Sequence, residues 1–434
     1  MRSSKIMRRG FVAAVAVMAL GLSACGGSSG ADPKALSDDP VTISFTFWGG
    51  DARVEASKKA IAEFESEHKN ITVEPRFADW TGYWDQLATQ SAAGDAPDVI
   101  QMDELYLSSY AQRGALLDLG TTNIDTSNTD ASALELGKVD GKQYALTHSV
   151  GLSAIVANAD LFKKYNVPLP DDDTWTWDDF QKTADALTKN SKGAIHGTDQ
   201  IGGYDALSLK YWVRADGGEV FDENGKVVMD PASLAKMWEF EMGVQKSGGM
   251  LSPAAITESF NAGISAEAMA TNKVAMSHHA NTQIVALAAA SGQHLVLLKL
   301  PEPQGVHPQS LKAGMYWTIS SSSKHPAEAA EFVDFLANSD EGGKILGVER
   351  GVPANSHVRE VIKPDLTDND KAAIEYMDRV TPGDTVPVVT PNGASTVEAI
   401  LQRYTQEVFA GKTSPEDGAK AFVKELRGEI DAAQ

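Results

Sequence analysis

Of the 434 residues only one, Cys25, is a cysteine. With no second thiol the chain closes no internal disulfide, and its fold must hold by packing alone. Beyond the first 24 residues no apolar run approaches the roughly 20 residues that a membrane-spanning helix needs. Positive charge is scarce: 38 Lys and Arg stand against 59 Asp and Glu, a formal charge of −21. Such a surface repels phosphate backbones and anionic headgroups, which argues against nucleic acid as a partner and against direct binding to a lipid surface. The sequence also lacks H-E-x-x-H, P-loop and G-x-G-x-x-G signatures, and its one G-x-S-x-G spacing, Gly26–Gly30, lies in a glycine–serine run and is no nucleophile elbow, so nothing marks a serine hydrolase, a zinc protease or a nucleotide enzyme. After residue 40 there is neither an internal repeat nor a low-complexity segment.

What is present begins with an address. Arg2, Lys5, Arg8 and Arg9 precede FVAAVAVMALGL, Phe11 to Leu22. This has the charge order and length of a signal-peptide core and is too short to span a bilayer. Leu22-Ser23-Ala24-Cys25 resembles the bacterial lipobox, which implies cleavage before Cys25 and lipid on its sulfur. Arg8-Arg9 also resembles a twin-arginine signal, although paired arginines are common in such regions. Residues 1–24 are therefore expected to be a lipoprotein signal peptide. Residues 25–40, rich in glycine and serine, are expected to be a lipidated flexible tether. The working chain would sit on the outer face of a cell membrane, in a Gram-positive bacterium, held there only by its lipid.

The remainder exceeds what one compact core usually carries, which predicts two domains. Val41 to Phe47 alternates as a strand and is broken by Trp48-Gly49-Gly50. A helix with Val54, Ala60, Ile61 and Phe64 inward follows. A strand at Ile71–Phe77 carries Pro75, which suits an edge or a bulge. Helix, strand and helix then follow over 80–93, 98–102 and 104–113. This rhythm predicts βαβ units with a parallel sheet, whose ligands lie beyond the carboxyl ends of the strands. Asp140-Gly141 and Asp222–Gly225 read as hairpin turns. Thr176 and Ser395-x-x-Glu398 read as helix caps.

FWGGDAR, IAEFESEHKNITVEP, LATQSAAGDAPDVIQMD, YAQRGALLDL, YALTHSVGLSAIVANADLF, WTWDDF, ADGGEVF, KVAMSHHAN, SKHPAEAAEFVDFLANSDEGG and ERGVPAN occur in that order. Together they resemble the extracellular solute-binding proteins of ABC carbohydrate importers (family 1, the maltose-binding-protein-like group) over roughly residues 41–430. The resemblance implies an α/β fold of two lobes, each a mainly parallel sheet flanked by helices (the class II periplasmic-binding-protein-like fold), joined by hinge strands. It implies crossings near 144–148, 300–303 and 351–355, hence lobe 1 at 41–146 plus 302–351 and lobe 2 at 147–301 plus 352–434. It also implies a monomer without cofactor that closes on an oligosaccharide or other sugar and hands it to ABC permease subunits.

Sugars are held by aromatic faces and by hydrogen-bonding side chains, so such residues at strand ends are the candidates. Trp48 and Asp51 follow the first strand, although Trp48 fits a core or hinge and Asp51 a helix cap equally well. Asp103 and Glu104 follow the third strand, where Asp103 also suits a cap. Trp80, Tyr83 and Trp84 share a helix face; Trp80, at its edge, is the stacking candidate. His148 lies at the implied first crossing, and Tyr204 and Asp205 lie in a glycine-rich loop. His279 and Asn281 follow a short strand, and Trp317 lies in a strand entering from the other lobe. Arg350, beside the implied hinge, suits either an acidic sugar or an interface ion pair. Adjacent His278 and His279 point to opposite faces of a strand and lack a third spaced ligand, so no metal is expected. Asp171–Asp173 lacks the alternation of a calcium loop. The competing readings are a surface-anchored glycoside hydrolase, which would need a carboxyl pair such as Asp103 with Asp205, and a sugar sensor without a transport role.

Overall fold

The computed structural model describes residues 32–380 and 390–433. Cys25, the signal stretch and the start of the tether lie outside the described residues. The strands are β1 (Val41–Trp48), β2 (Ile71–Ala78), β3 (Val99–Met102), β4 (Lys138–Val139), β5 (Lys142–Gln143), β6 (Leu146–Gly151), β7 (Ser153–Asn158), β8 (His196–Thr198), β9 (Val274–Ala280), β10 (Leu295–Leu298), β11 (Lys312–Ile319) and β12 (Val352–Pro353). They form a six-stranded sheet in the order β12-β6-β11-β3-β1-β2, a four-stranded sheet in the order β10-β7-β9-β8, and the β4-β5 hairpin. The hairpin turns through Asp140 at φ 50° and Gly141 at φ 75°, the left-handed pair that a tight two-residue loop requires. Pro75 lies in β2, an edge of the first sheet, where a missing N–H removes no ladder bond.

Both sheets are mixed, which corrects the expectation of mainly parallel ones. In the first, β1 runs parallel to β2 and β3, while β11 is antiparallel to β3 and β6. In the second, β7 is antiparallel to β9 and β10, and only β8 with β9 is parallel. The cause is the path between lobes. β1, β3 and β6 run toward the junction, and so do β8, β9 and β10 in the other lobe. β7 and β11 enter their sheets from that junction without a helical crossover, so each runs against its neighbours.

Sheet membership also shifts the crossings. β6 lies wholly in the first sheet, so the first crossing falls at Leu152 rather than at 144–148. The second spans the stretch between β10 and β11. At the third, β12 still pairs with β6, and helix Ser356–Ile362 packs Val358 and Ile362 against Val348 of the first lobe. Helix Asp368–Arg379 then places Ala373 and Tyr376 in the core of the second lobe. The expected tether is pinned sooner than Pro40. The Ser37 N–H donates to Glu328 Oε1 at 2.7 Å, and Asn70 Nδ2 donates to the Ser37 carbonyl at 2.8 Å.

The first sheet is covered on one face by Phe64, Phe332 and Leu336, which meet Phe45 and Trp317, and on the other by Tyr83, Leu107 and Tyr110. A helical layer of the second lobe gathers Leu209, Trp238, Leu401 and Phe422, and Leu105 of the first lobe inserts into it. The lobes therefore touch along one flank. Phe332 is fully buried, with its ring 5.3 Å from Phe45 and 5.0 Å from Phe64. Phe332→Ala is expected to cost about 3–5 kcal/mol in chemical denaturation. A loss below about 1 kcal/mol would show that this layer is not the packing core described here.

Candidate functional site

The carboxyl ends of β1, β2, β3 and β6 face those of β8, β9 and β10 across the junction. On the first lobe the rim is aromatic. Trp48 ends β1 half-buried, and Trp80 opens helix Trp80–Ala93, capped by Asp79, which accepts from Gly82 N at 2.8 Å. The Trp48 ring meets Trp80 edge-on at 5.0 Å and Tyr83 at 5.3 Å. Trp84 stacks on Tyr106 at 3.6 Å. Trp80 remains 40% exposed while Tyr83 and Trp84 are buried, so the ring with a free face is the one at the edge of the cluster.

Beside this wall lie charges from both lobes. Asp103 is buried and caps helix Glu104–Gln112 by accepting from Leu105 N at 2.9 Å; burial raises its pKa against the pull of Lys312. Glu104 accepts from Lys210 Nζ of the second lobe and from Thr390 Oγ1, the latter at 2.7 Å. Burial pushes its carboxyl up, but Lys210 and Lys312 outweigh that and hold it below the ordinary value. Lys312, the first residue of β11, is opposed by burial and raised by Asp103, Glu104, Glu398 and Asp205, to about 12. Asp205 caps helix Ala206–Ala215 through Ser208 N at 2.8 Å and stands 3.8 Å from His278 Nδ1. Glu398 accepts from Ala206 N at 3.0 Å, and burial with Asp205 nearby pushes it to about 7. The expected Ser395-x-x-Glu398 capping box is therefore absent. Thr396 stands at the helix start without a side-chain cap, because the Glu398 carboxylate serves the neighbouring helix.

Tyr204 is buried, with its hydroxyl 3.1 Å from Thr257 Oγ1 and its ring 5.4 Å from Phe260. His279 stands 3.5 Å from Glu267, and burial followed by His278 pushes it to about 4. His278 instead approaches Ser153 Oγ at 3.3 Å, so the two imidazoles do not converge. Behind these histidines lie acids that sequence reasoning passed over. Burial lifts Asp199 to about 7 and both Glu241 and Glu267 to about 8. Glu241 Oε1 accepts from Ile201 N and Gly202 N at 2.8 Å each.

Three site expectations are corrected, and so is the reading of Asp51 as a helix cap. Trp317 has no exposed surface and packs 5.6 Å from Phe45, so it fills the core instead of covering a ligand. Asn281 is fully buried, and both ends of its amide are spent on the main chain: Leu152 N donates to it at 2.9 Å and it donates to the Ala373 carbonyl at 2.8 Å. It ties the first crossing to helix Asp368–Arg379. Arg350 is buried beneath the rings of Phe47 and Trp317 and donates to Ser57 Oγ at 2.7 Å, Gln101 Oε1 at 3.4 Å and Glu349 at 3.3 Å. It faces the interior of the first lobe. Gly50, not Asp51, precedes helix Asp51–Glu67, and Asp51 is an exposed first-turn residue. His148 lies deep beside Trp317, where burial, then Arg350 and Arg53, push it to about 3.

Among the described residues, Asp171–Asp173 is the one carboxyl trio close enough to share an ion. Asp172 already takes Arg379 through two 2.8 Å bonds, and Asp173 takes Lys299 at 2.7 Å.

These buried groups set a pH dependence. Asp199, Glu241, Glu267 and Glu398 stay protonated in the folded chain where the unfolded chain has released its protons. Their stabilisation is complete below the ordinary carboxyl range and is lost as pH rises through about 7 to 8. His148 and His279 act oppositely, favouring the fold above 6.5 and losing that contribution on acidification toward about 3 and 4. Above 6.5 only the carboxyl effect among these groups remains. The melting temperature is expected to fall between pH 6.5 and about 8.5, and Glu241→Gln to flatten the fall. A rising profile, or one unchanged by the substitution, would contradict the assignment.

A family model described as bacterial extracellular solute-binding protein matches residues 50–342. A lipoprotein of Streptomyces antibioticus is 29% identical over 193 residues, 42% of this chain and 40% of its own length. A maltodextrin-binding protein of Bacillus subtilis is 23% identical over 98% of each chain. A maltooligosaccharide ABC transporter solute-binding lipoprotein of Streptococcus pneumoniae is 24% identical over 82% of this chain and 83% of its own. A solved periplasmic solute-binding protein from Pectobacterium atrosepticum superposes with a TM-score of 0.80 at 21% identity, covering 91% of this chain and 99% of that one. The matched span takes in β2 to β11, about two thirds of the chain, and the chain belongs to the bacterial extracellular solute-binding proteins.

Proposed function

We propose that this protein captures a sugar or oligosaccharide between its lobes and delivers it to the permease of an ABC transporter, performing no chemistry on it. The observation that carries this reading is the pairing, at one junction, of an exposed aromatic face with polar groups from both lobes. Trp80 and Trp48 offer apolar faces for pyranose rings, while Asp103, Lys312 and Asp205 offer acceptors and donors for hydroxyls. The two relatives named above for maltodextrin and maltooligosaccharide support the same ligand class. Capture needs only a closed state with higher affinity for the ligand than the open one.

Hydrolysis is the weaker reading. Asp103 and Asp205, the pair it would need, each cap a helix by accepting a main-chain N–H, a role that keeps a carboxylate in place and satisfied. The lipobox at Leu22–Cys25 and the two related lipoproteins support a lipid anchor at Cys25 on the outer face of the cell membrane.

A thermal-shift and calorimetric screen of oligosaccharides tests the reading, since a ligand of the folded state raises stability by mass action. Trp80→Ala is expected to weaken the best ligand about 3- to 10-fold. Asp103→Asn, which keeps the cap, is expected to weaken it about tenfold or more. Release of reducing ends on prolonged incubation, or affinity untouched by both substitutions, would contradict the proposal.

A further inference from the structure

Resting on the sugar-binding reading, we infer that the cleft selects by charge: it takes uncharged saccharides and turns away those bearing carboxylate or sulfate groups. An anionic sugar needs a cation whose charge is not already answered; at this junction three of the described cations are paired and the fourth, Lys312, keeps its donors but is outnumbered by acids. Arg350, the residue whose type most suggests a uronate, gives its guanidinium to Ser57, Gln101 and Glu349 inside the first lobe. Arg53 pairs with the same Glu349 at 3.0 Å and donates to the Trp48 carbonyl at 3.3 Å. Lys210 is bound to Glu104 and stands 3.5 Å from Thr390 Oγ1. Lys312 stands in the field of Asp103, Glu104, Asp205 and Glu398.

Two of the buried groups with capacity left, both from the second lobe, favour hydroxyls. Gln200 Oε1, on the loop leaving β8, and Glu241 Oε2 have no hydrogen-bond partner, although these residues are only 7% and 1% exposed. The first is an acceptor. The second, with its pKa at about 8, carries a proton at neutral pH and is a donor. A hydroxyl or a bridging water answers both, whereas a carboxylate only accepts. A second anion brought beside Asp103 and Asp205 would also lose water as the lobes close, and like charges repel more strongly in that drier setting.

The test is calorimetric titration of the full chain with two panels of matched length. One holds neutral malto-, cello-, xylo- and arabino-oligosaccharides; the other holds oligogalacturonides and sulfated oligosaccharides. At least one neutral oligosaccharide is expected to bind, with every anionic one about 100-fold weaker or worse. Any residual anionic binding is expected to tighten about tenfold in the Asp205→Asn, Glu398→Gln double variant. An oligogalacturonide or sulfated oligosaccharide that binds as tightly as the best neutral one would overturn the charge rule while leaving the sugar reading intact. Binding by neither panel would remove the sugar reading and the charge rule together.

Discussion

The ammonium of Lys312 stands where the chain returns from the second lobe to the first, and acids of both lobes are arranged around it. Asp103 and Glu104 come from the end of β3, Asp205 from the start of a second-lobe helix, and Glu398 from a helix near the C-terminus. Without the cation these carboxyls would repel one another in a half-buried junction; with it part of that repulsion is offset. The Glu104–Lys210 contact and the insertion of Leu105 among second-lobe helices close the same flank. The geometry of the cleft depends on these charges, because Asp103 and Asp205 also cap the helices that follow them and Glu398 holds the start of the helix after Asp205.

A few buried side chains hold the junction in register. Three passages of chain cross it, and main-chain groups at the crossings are gathered by a few buried side chains. Asn281 links Leu152 to Ala373. Gln309 takes both main-chain groups of Ser153, at 3.2 and 2.8 Å, and Tyr376 donates to the same Ser153 carbonyl at 2.6 Å. Such a knot fixes the strands of both lobes relative to the crossings. Hinge closure asks only that ligand contacts favour the closed arrangement.

Local features were legible in the sequence because their causes are local. The alternation in Val41–Phe47, the capping box at Thr176 and the Asp140-Gly141 turn each depend on a few neighbouring residues, and each appears as read. Strand direction was not legible, because it depends on which lobe the chain arrives from. Trp80 and Trp317 are the same residue type, yet Trp80 lies at the rim because it opens a helix beyond the end of β2, and Trp317 lies in the core because its place in β11 turns it under the helices that cover the sheet. Lys312 and Glu398 escaped notice for a related reason: their partners are distant in sequence, and Glu398 also sat in a convincing local capping pattern. Arg350 was legible as a residue with a task, but the task is packing beneath β1 and β3.

The most direct test of the central claim is a crystal structure of the protein with the tightest oligosaccharide from the screen. The account expects a sugar ring against the free face of Trp80, with hydroxyls in hydrogen-bond distance of Asp103 or Lys312 from one lobe and of Asp205 or Glu398 from the other. A sugar held by one lobe alone, or bound away from the strand ends that carry these residues, would contradict it.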